Sequence, residues 1–164
     1  MENPLKEIYP FKMVNAAAWL LPKKSLLTVG GFNPRFFLYG EDDNYCQRVK
    51  YHNLKIGVVP SVFMHHDSGN NNLVRPAQGS EKYFEKFTNQ IKISYANVNE
   101  PKNLQQLKPI YLKMAFKALF QLNRNEFKLN YKKYKLIATM DFKKDIEQGQ
   151  KKQATYLQNP ADKM

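Results

Sequence analysis

A single cysteine, Cys46, stands in a chain of 164 residues. It excludes an intramolecular disulfide framework and any multi-cysteine zinc site, and it fits a reducing compartment. Long apolar runs are missing as well. No window approaches the ~20 residues needed to cross a bilayer, and the opening MENPLKEIYPFK lacks the apolar stretch of a signal peptide. The expectation is a cytoplasmic chain with neither leader nor transmembrane helix, able at most to lie on the inner face of the membrane. Acidic side chains are scarce: 14 Asp+Glu against 26 Lys+Arg leave a formal net charge of +12. Such a surface suits an anionic partner such as nucleic acid, a phosphorylated substrate or a membrane. Glycine is scarce in the second half, where Gly149 is the sole one of seven beyond residue 80.

What remains is sufficient for a core, since 43% of the residues are apolar and 13% aromatic. Charge divides the chain. Residues 1–100 carry 12 basic and 9 acidic side chains, a balance of +3, whereas residues 101–164 carry 14 and 5, a balance of +9. With the glycine skew, this separates an α/β portion, 1–80, from a basic helical extension, 81–164.

Met13–Leu21 (MVNAAAWLL), stopped by Pro22, reads as a buried strand. A short helix over Lys23–Val29 should end at Gly30-Gly31, and Glu41–Tyr51 should be a helix whose acidic opening complements its positive end. Leu54–Val59 and Ser61–His65 read as extended segments separated by Pro60, followed by a polar loop over Asp67–Asn72. Beyond residue 80 apolar residues recur at helical spacing: Tyr83, Phe84, Phe87, Ile91 and Tyr95, then Leu104 to Leu122, then Phe127, Tyr131, Tyr134 and Ile137. The last fifteen residues or so read as frayed.

The chemistry-bearing groups are dense in one place only. Glu41, Asp42 and Asp43 open the second helix, and His65, His66 and Asp67 follow the extended segment that returns toward it. If they converge, carboxylates and imidazole can share one metal ion or one substrate hydroxyl. The stretch VGGFNPRFFLYGEDDNYCQR (Val29–Arg48), followed by IGVVPSVFMH (Ile56–His65), resembles the family 2 glycosyltransferases of GT-A fold, in particular the rhamnosyltransferase-like members. The likeness spans about residues 13 to 69 and keeps its spacing.

The resemblance implies an incomplete GT-A-like mixed sheet with helices, followed by a mainly helical C-terminal extension. It also implies inverting transfer of a sugar from a nucleotide-sugar donor to the hydroxyl of a glycan or lipid-linked acceptor, in surface polysaccharide assembly. Asp42 falls where the family has its general base, and Glu41 would support it or hold the acceptor. His65, with His66 as second choice, falls where some members hold a divalent cation, Mg²⁺ or Mn²⁺, on the donor diphosphate. Tyr39, Gly40 and Trp19 would line the sugar site. Two departures stand out: Asn33 and Asn44 occupy positions where the pattern usually has aspartate. No DxD occurs, and nothing in Met1–Lys12 matches the donor-binding βαβ unit, so the resemblance implies the acceptor-side and C-terminal portion of such an enzyme, either truncated or half of a split protein whose partner is a donor-binding polypeptide.

Plainer readings accompany these. Glu41 and Asp42 also suit a helix N-terminus, and Asp43 reads as solvated surface. Arg48 can anchor a phosphate, but seven residues after Glu41 it reads better as its ion-pair partner. Tyr39 and Trp19 can stack on a sugar or pack in a core, Cys46 reads as a small core residue, and His52 as helix surface. The lysine-rich helices can lie on anionic lipid or on the domain itself; nucleic acid ranks below both because no recognition motif is present. Two rival functions follow: a non-catalytic basic module docking on a membrane or partner chain, and, more remotely, a phosphohydrolase built on His65, His66 and Asp67.

Overall fold

The computed structural model describes residues 8–36, 39–65 and 75–157. Among them, six α-helices and one two-stranded antiparallel sheet form a mixed but helix-dominated fold. Strand β1 (Tyr9–Phe11) pairs with β2 (Ile56–Val58), Tyr9 opposite Val58 and Phe11 opposite Ile56. The strand expected over 54–59 is thus found in its central residues, whereas β1 was hidden by Pro10, which lacks a ladder donor.

Two expected strands do not form. Met13–Leu21 runs irregularly with a turn at Ala16–Ala17, and its backbone is engaged by a helix instead: Ala16 N–H lies 3.4 Å from Asp42 Oδ2 and Cys46 Sγ lies 4.0 Å from Val14 O. Ser61–His65 is exposed and irregular, and the expected loop Asp67–Asn72 lies outside the described residues.

Helix α1 (Lys23–Val29) ends where Gly30, at φ 86°, donates its N–H to Leu26 O. Helix α2 (Glu41–Tyr51) begins at the acidic triplet. The aromatic spacing beyond residue 80 gives α3 (Glu81–Tyr95), capped by the Ser80 hydroxyl accepting from Tyr83 N–H at 3.2 Å. A 3₁₀ turn, Leu104–Gln106, leads into α4 (Leu107–Phe120), and α5 (Arg124–Ala138) follows after a three-residue turn, capped by Asn123. The sequence KKDIEQGQ, too polar and short for a clear period, nonetheless forms α6 (Lys143–Gln150).

Two apolar centres result. One joins Phe36 with Ile91, Ala96, Leu104, Ile137 and Phe142, from both sides of residue 80. The other joins Val29, Tyr45 and Val49, flanked by Trp19, Leu21, Leu54 and Ile56. Rather than fraying, the segment up to Leu157 docks: Gly31 N–H donates to Thr155 O at 2.7 Å. The contact needs glycine, because a Cβ on Gly30 would lie 2.0 Å from Thr155 O.

Candidate active site

Helix α2 organises the acidic triplet, and its placement depends on one cation. Arg48 is 1% exposed, with Nε donating to Asn44 Oδ1 at 3.1 Å and the two terminal nitrogens donating to Val29 O at 2.7 Å and Gly31 O at 2.6 Å. Its guanidinium lies over the rings of Tyr45 and Tyr156, 5.1 and 5.3 Å from their centroids. Desolvation lowers its pKa to about 10, with no carboxylate beside it to offset the burial. The expected ion pair with Glu41 does not form among the described residues, where Arg48, also read as a substrate ligand, is held as a structural anchor. The reason is steric and electrostatic, since every side-chain nitrogen is already committed to an acceptor indoors.

Asn33 and Asn44 are explained by the same packing. Asn44 is 2% exposed and serves as the acceptor for Arg48. Asn33, 3% exposed, donates to Asp145 Oδ1 at 3.0 Å and accepts Arg35 N–H at 3.0 Å, while Arg35 forms an ion pair with Asp145 Oδ2. An aspartate at 33 would face a second carboxylate, so asparagine is what this interface requires. His52, expected at the surface, is 6% exposed because Nε2 donates to Gly149 O at 3.0 Å.

Two residues of positive φ, Tyr39 at 68° and Gly40 at 100°, turn the chain into α2. A Cβ on Gly40 would meet Ile93 at 2.8 Å, so the turn is both conformationally and sterically reserved for glycine. Tyr39 is 68% exposed. Asp42 is half-buried; Oδ1 accepts Asp43 N–H at 2.8 Å, and Oδ2 faces Ala16 N–H. Glu41 Oε2 is shielded from solvent without a hydrogen-bond partner among the described residues. Asp43, read as solvated surface, is half-buried; burial and then its two acidic neighbours raise its pKa. Its proton is thus held more tightly folded than unfolded, so stability falls as pH rises from its ordinary value of 3.8 through the raised one.

The segment that meets α2 at Asp42 also carries Trp19 into an aromatic cluster. Trp19 stacks on Phe32 at 5.9 Å and packs on Tyr45 at 5.6 Å, one turn beyond Asp42 on α2; Phe32 itself is 40% exposed. The indole N–H donates back to Asn15 O at 3.0 Å, which fixes the ring. No family model, curated protein or solved structure matches the chain.

His65 is exposed, and among the described residues it makes no hydrogen bond or ion pair; His66 and Asp67 lie outside them. No group of three or more His, Cys, Asp or Glu among the described residues could hold a metal ion. Sequence reasoning missed the Trp19–Phe32–Tyr45 wall as a unit. Its one signal was that all three aromatics flank the glycine-rich turn and the acidic triplet.

Proposed function

We propose that the chain is the acceptor-side part of an inverting, family 2-like sugar transferase of GT-A-like organisation. The observation that carries this reading is that the segment 13–21 meets α2 at Asp42, through Ala16 N–H, and carries Trp19, which packs on Phe32 and on Tyr45, three residues beyond Asp42. A carboxylate that accepts a hydroxyl proton next to a ring that covers the apolar face of a pyranose is the pairing a saccharide acceptor needs.

In this reading Asp42 takes the proton of the acceptor hydroxyl as its oxygen attacks the anomeric carbon. The bond to the nucleoside diphosphate breaks on the opposite face, and the electron pair leaves with the diphosphate. Glu41, which precedes Asp42 at the start of α2, supports it or holds the acceptor. Tyr39, presented by its left-handed backbone and exposed, borders the sugar. Mg²⁺ or Mn²⁺ would neutralise the charge developing on the donor diphosphate.

Trp19 is the sole tryptophan, so fluorescence under tryptophan-selective excitation reports on this site. Titration with oligosaccharide acceptors should shift its emission in the wild type and not in Asp42→Asn. Calorimetry with UDP-, GDP- and dTDP-sugars plus Mn²⁺ should show a weak heat or none for the chain by itself. A folded chain whose fluorescence responds to no saccharide, or responds equally in Asp42→Asn, overturns the reading.

A further inference from the structure

Of the lysine-rich helices among the described residues, α4 keeps the largest apolar surface outside the core, whereas α5 exposes Tyr131 at 39%. In α3 and α5 the core-facing residues Phe84, Ile91, Leu129 and Ile137 are buried, with Phe87, Phe127 and Tyr134 half-buried around them. Helix α4 is different. Its inner face is narrow, with Ala115 and Ala118 the buried residues, while Phe116 and Phe120 are 50% and 87% exposed. At 100° per residue, Lys113, Phe116, Lys117 and Phe120 fall within one arc of about 100° on the side opposite those alanines. Beyond the helix end, Leu122 is 89% exposed and Arg124 follows it.

We propose that this face of α4, continued by Leu122 and Arg124, lies on the surface of a bilayer containing anionic phospholipid. Two observations choose that occupant. The first is charge: residues 107–138 carry eight basic side chains and one acidic, and the ion pair found among the described residues, Arg35–Asp145, involves none of them. The second is the interleaving of large apolar and cationic side chains on one helix face, which places rings at the acyl boundary and ammonium groups among phosphates. No helix here is long and apolar enough to cross a membrane among the described residues, so the contact is one of lying on the surface. Leu122 occupies a left-handed position, φ 56°, where asparagine or glycine is more at ease.

The inference is independent of the sugar-transfer reading, because it involves no residue of that site. Its test is sedimentation of the full chain with phosphatidylcholine vesicles, with and without phosphatidylglycerol. The chain should bind only the anionic vesicles and be released as salt rises. Lys113→Glu with Lys117→Glu should weaken partition by roughly thirtyfold or more, at about fivefold for each basic side chain lost. Phe120→Ser with Leu122→Asn should weaken it by roughly tenfold or more. Both pairs alter exposed side chains, and an unchanged circular dichroism spectrum confirms that they fold. The proposal is overturned if wild type ignores anionic vesicles, or if both pairs bind as wild type does. It is overturned equally if light scattering finds a self-association abolished by Phe120→Ser with Leu122→Asn while vesicles are ignored, which gives the face to a second copy.

Discussion

Helices α2 and α4 invert the usual relation between polarity and burial. α2 reads EDDNYCQRVKY, yet Asn44, Tyr45, Cys46, Arg48 and Val49 are buried. α4 reads LKPIYLKMAFKALF, and its buried residues are two alanines. The same contrast recurs at their ends, which close with one motif. In α2 the N–H groups of Asn53 and Leu54 return to Lys50 O and Val49 O; in α4 those of Leu122 and Asn123 return to Leu119 O and Ala118 O. The left-handed residue is Asn53 in one and Leu122 in the other. Burial follows from whether polar groups find partners, not from average hydropathy: α2 enters the interior because Arg48 and Asn44 are satisfied there. An apolar helix left outside is the feature that asks for a partner.

The strongest way to break this comparison is Arg48→Met. If apolar filling were what held α2, methionine would serve; instead the carbonyls of Val29 and Gly31 and the Asn44 amide oxygen lose their donor while still buried. We expect a loss of about 3 kcal/mol or more in urea unfolding. Asn33→Asp sharpens the point at the interface between the two charge regions. It sets a carboxylate against Asp145 and should cost about 2 kcal/mol at neutral pH. Repulsion raises the folded pKa of that pair, so the deficit should shrink as pH falls through the raised value. It should be largely recovered in Asn33→Asp/Asp145→Asn, measured as a double-mutant cycle. Leu122→Asn has the smallest effect and the opposite sign. Relief of the left-handed leucine should raise stability by about 1 kcal/mol, seen as a higher Tm.

Local physics was readable where residues act within a few positions of one another. Gly30 stops α1, the acidic triplet starts α2, and three- and four-residue spacing marks α3 to α5. Where a long-range partner decides, the residues by themselves were silent. MVNAAAWLL looks like a strand, but Asp42 and Cys46 take its backbone groups. His52 looks like surface until Gly149 supplies a carbonyl, and Arg48 looks like half of an ion pair until two backbone carbonyls and two rings surround it. In the candidate site, the carboxylates were visible as residues, whereas the wall of Trp19, Phe32 and Tyr45 was not.

The amino-acid order alone settled the charge excess, the helix periods, the turns that need glycine and the cluster of acidic groups, because each is a property of neighbours along the chain. Only the folded molecule decided that the segment around Thr155 lies on Gly30-Gly31, that the apolar stripe of α4 faces outward, and that Asn33 must be uncharged. Those outcomes depend on which backbone and side-chain groups meet across many tens of residues, and close packing admits one arrangement of them.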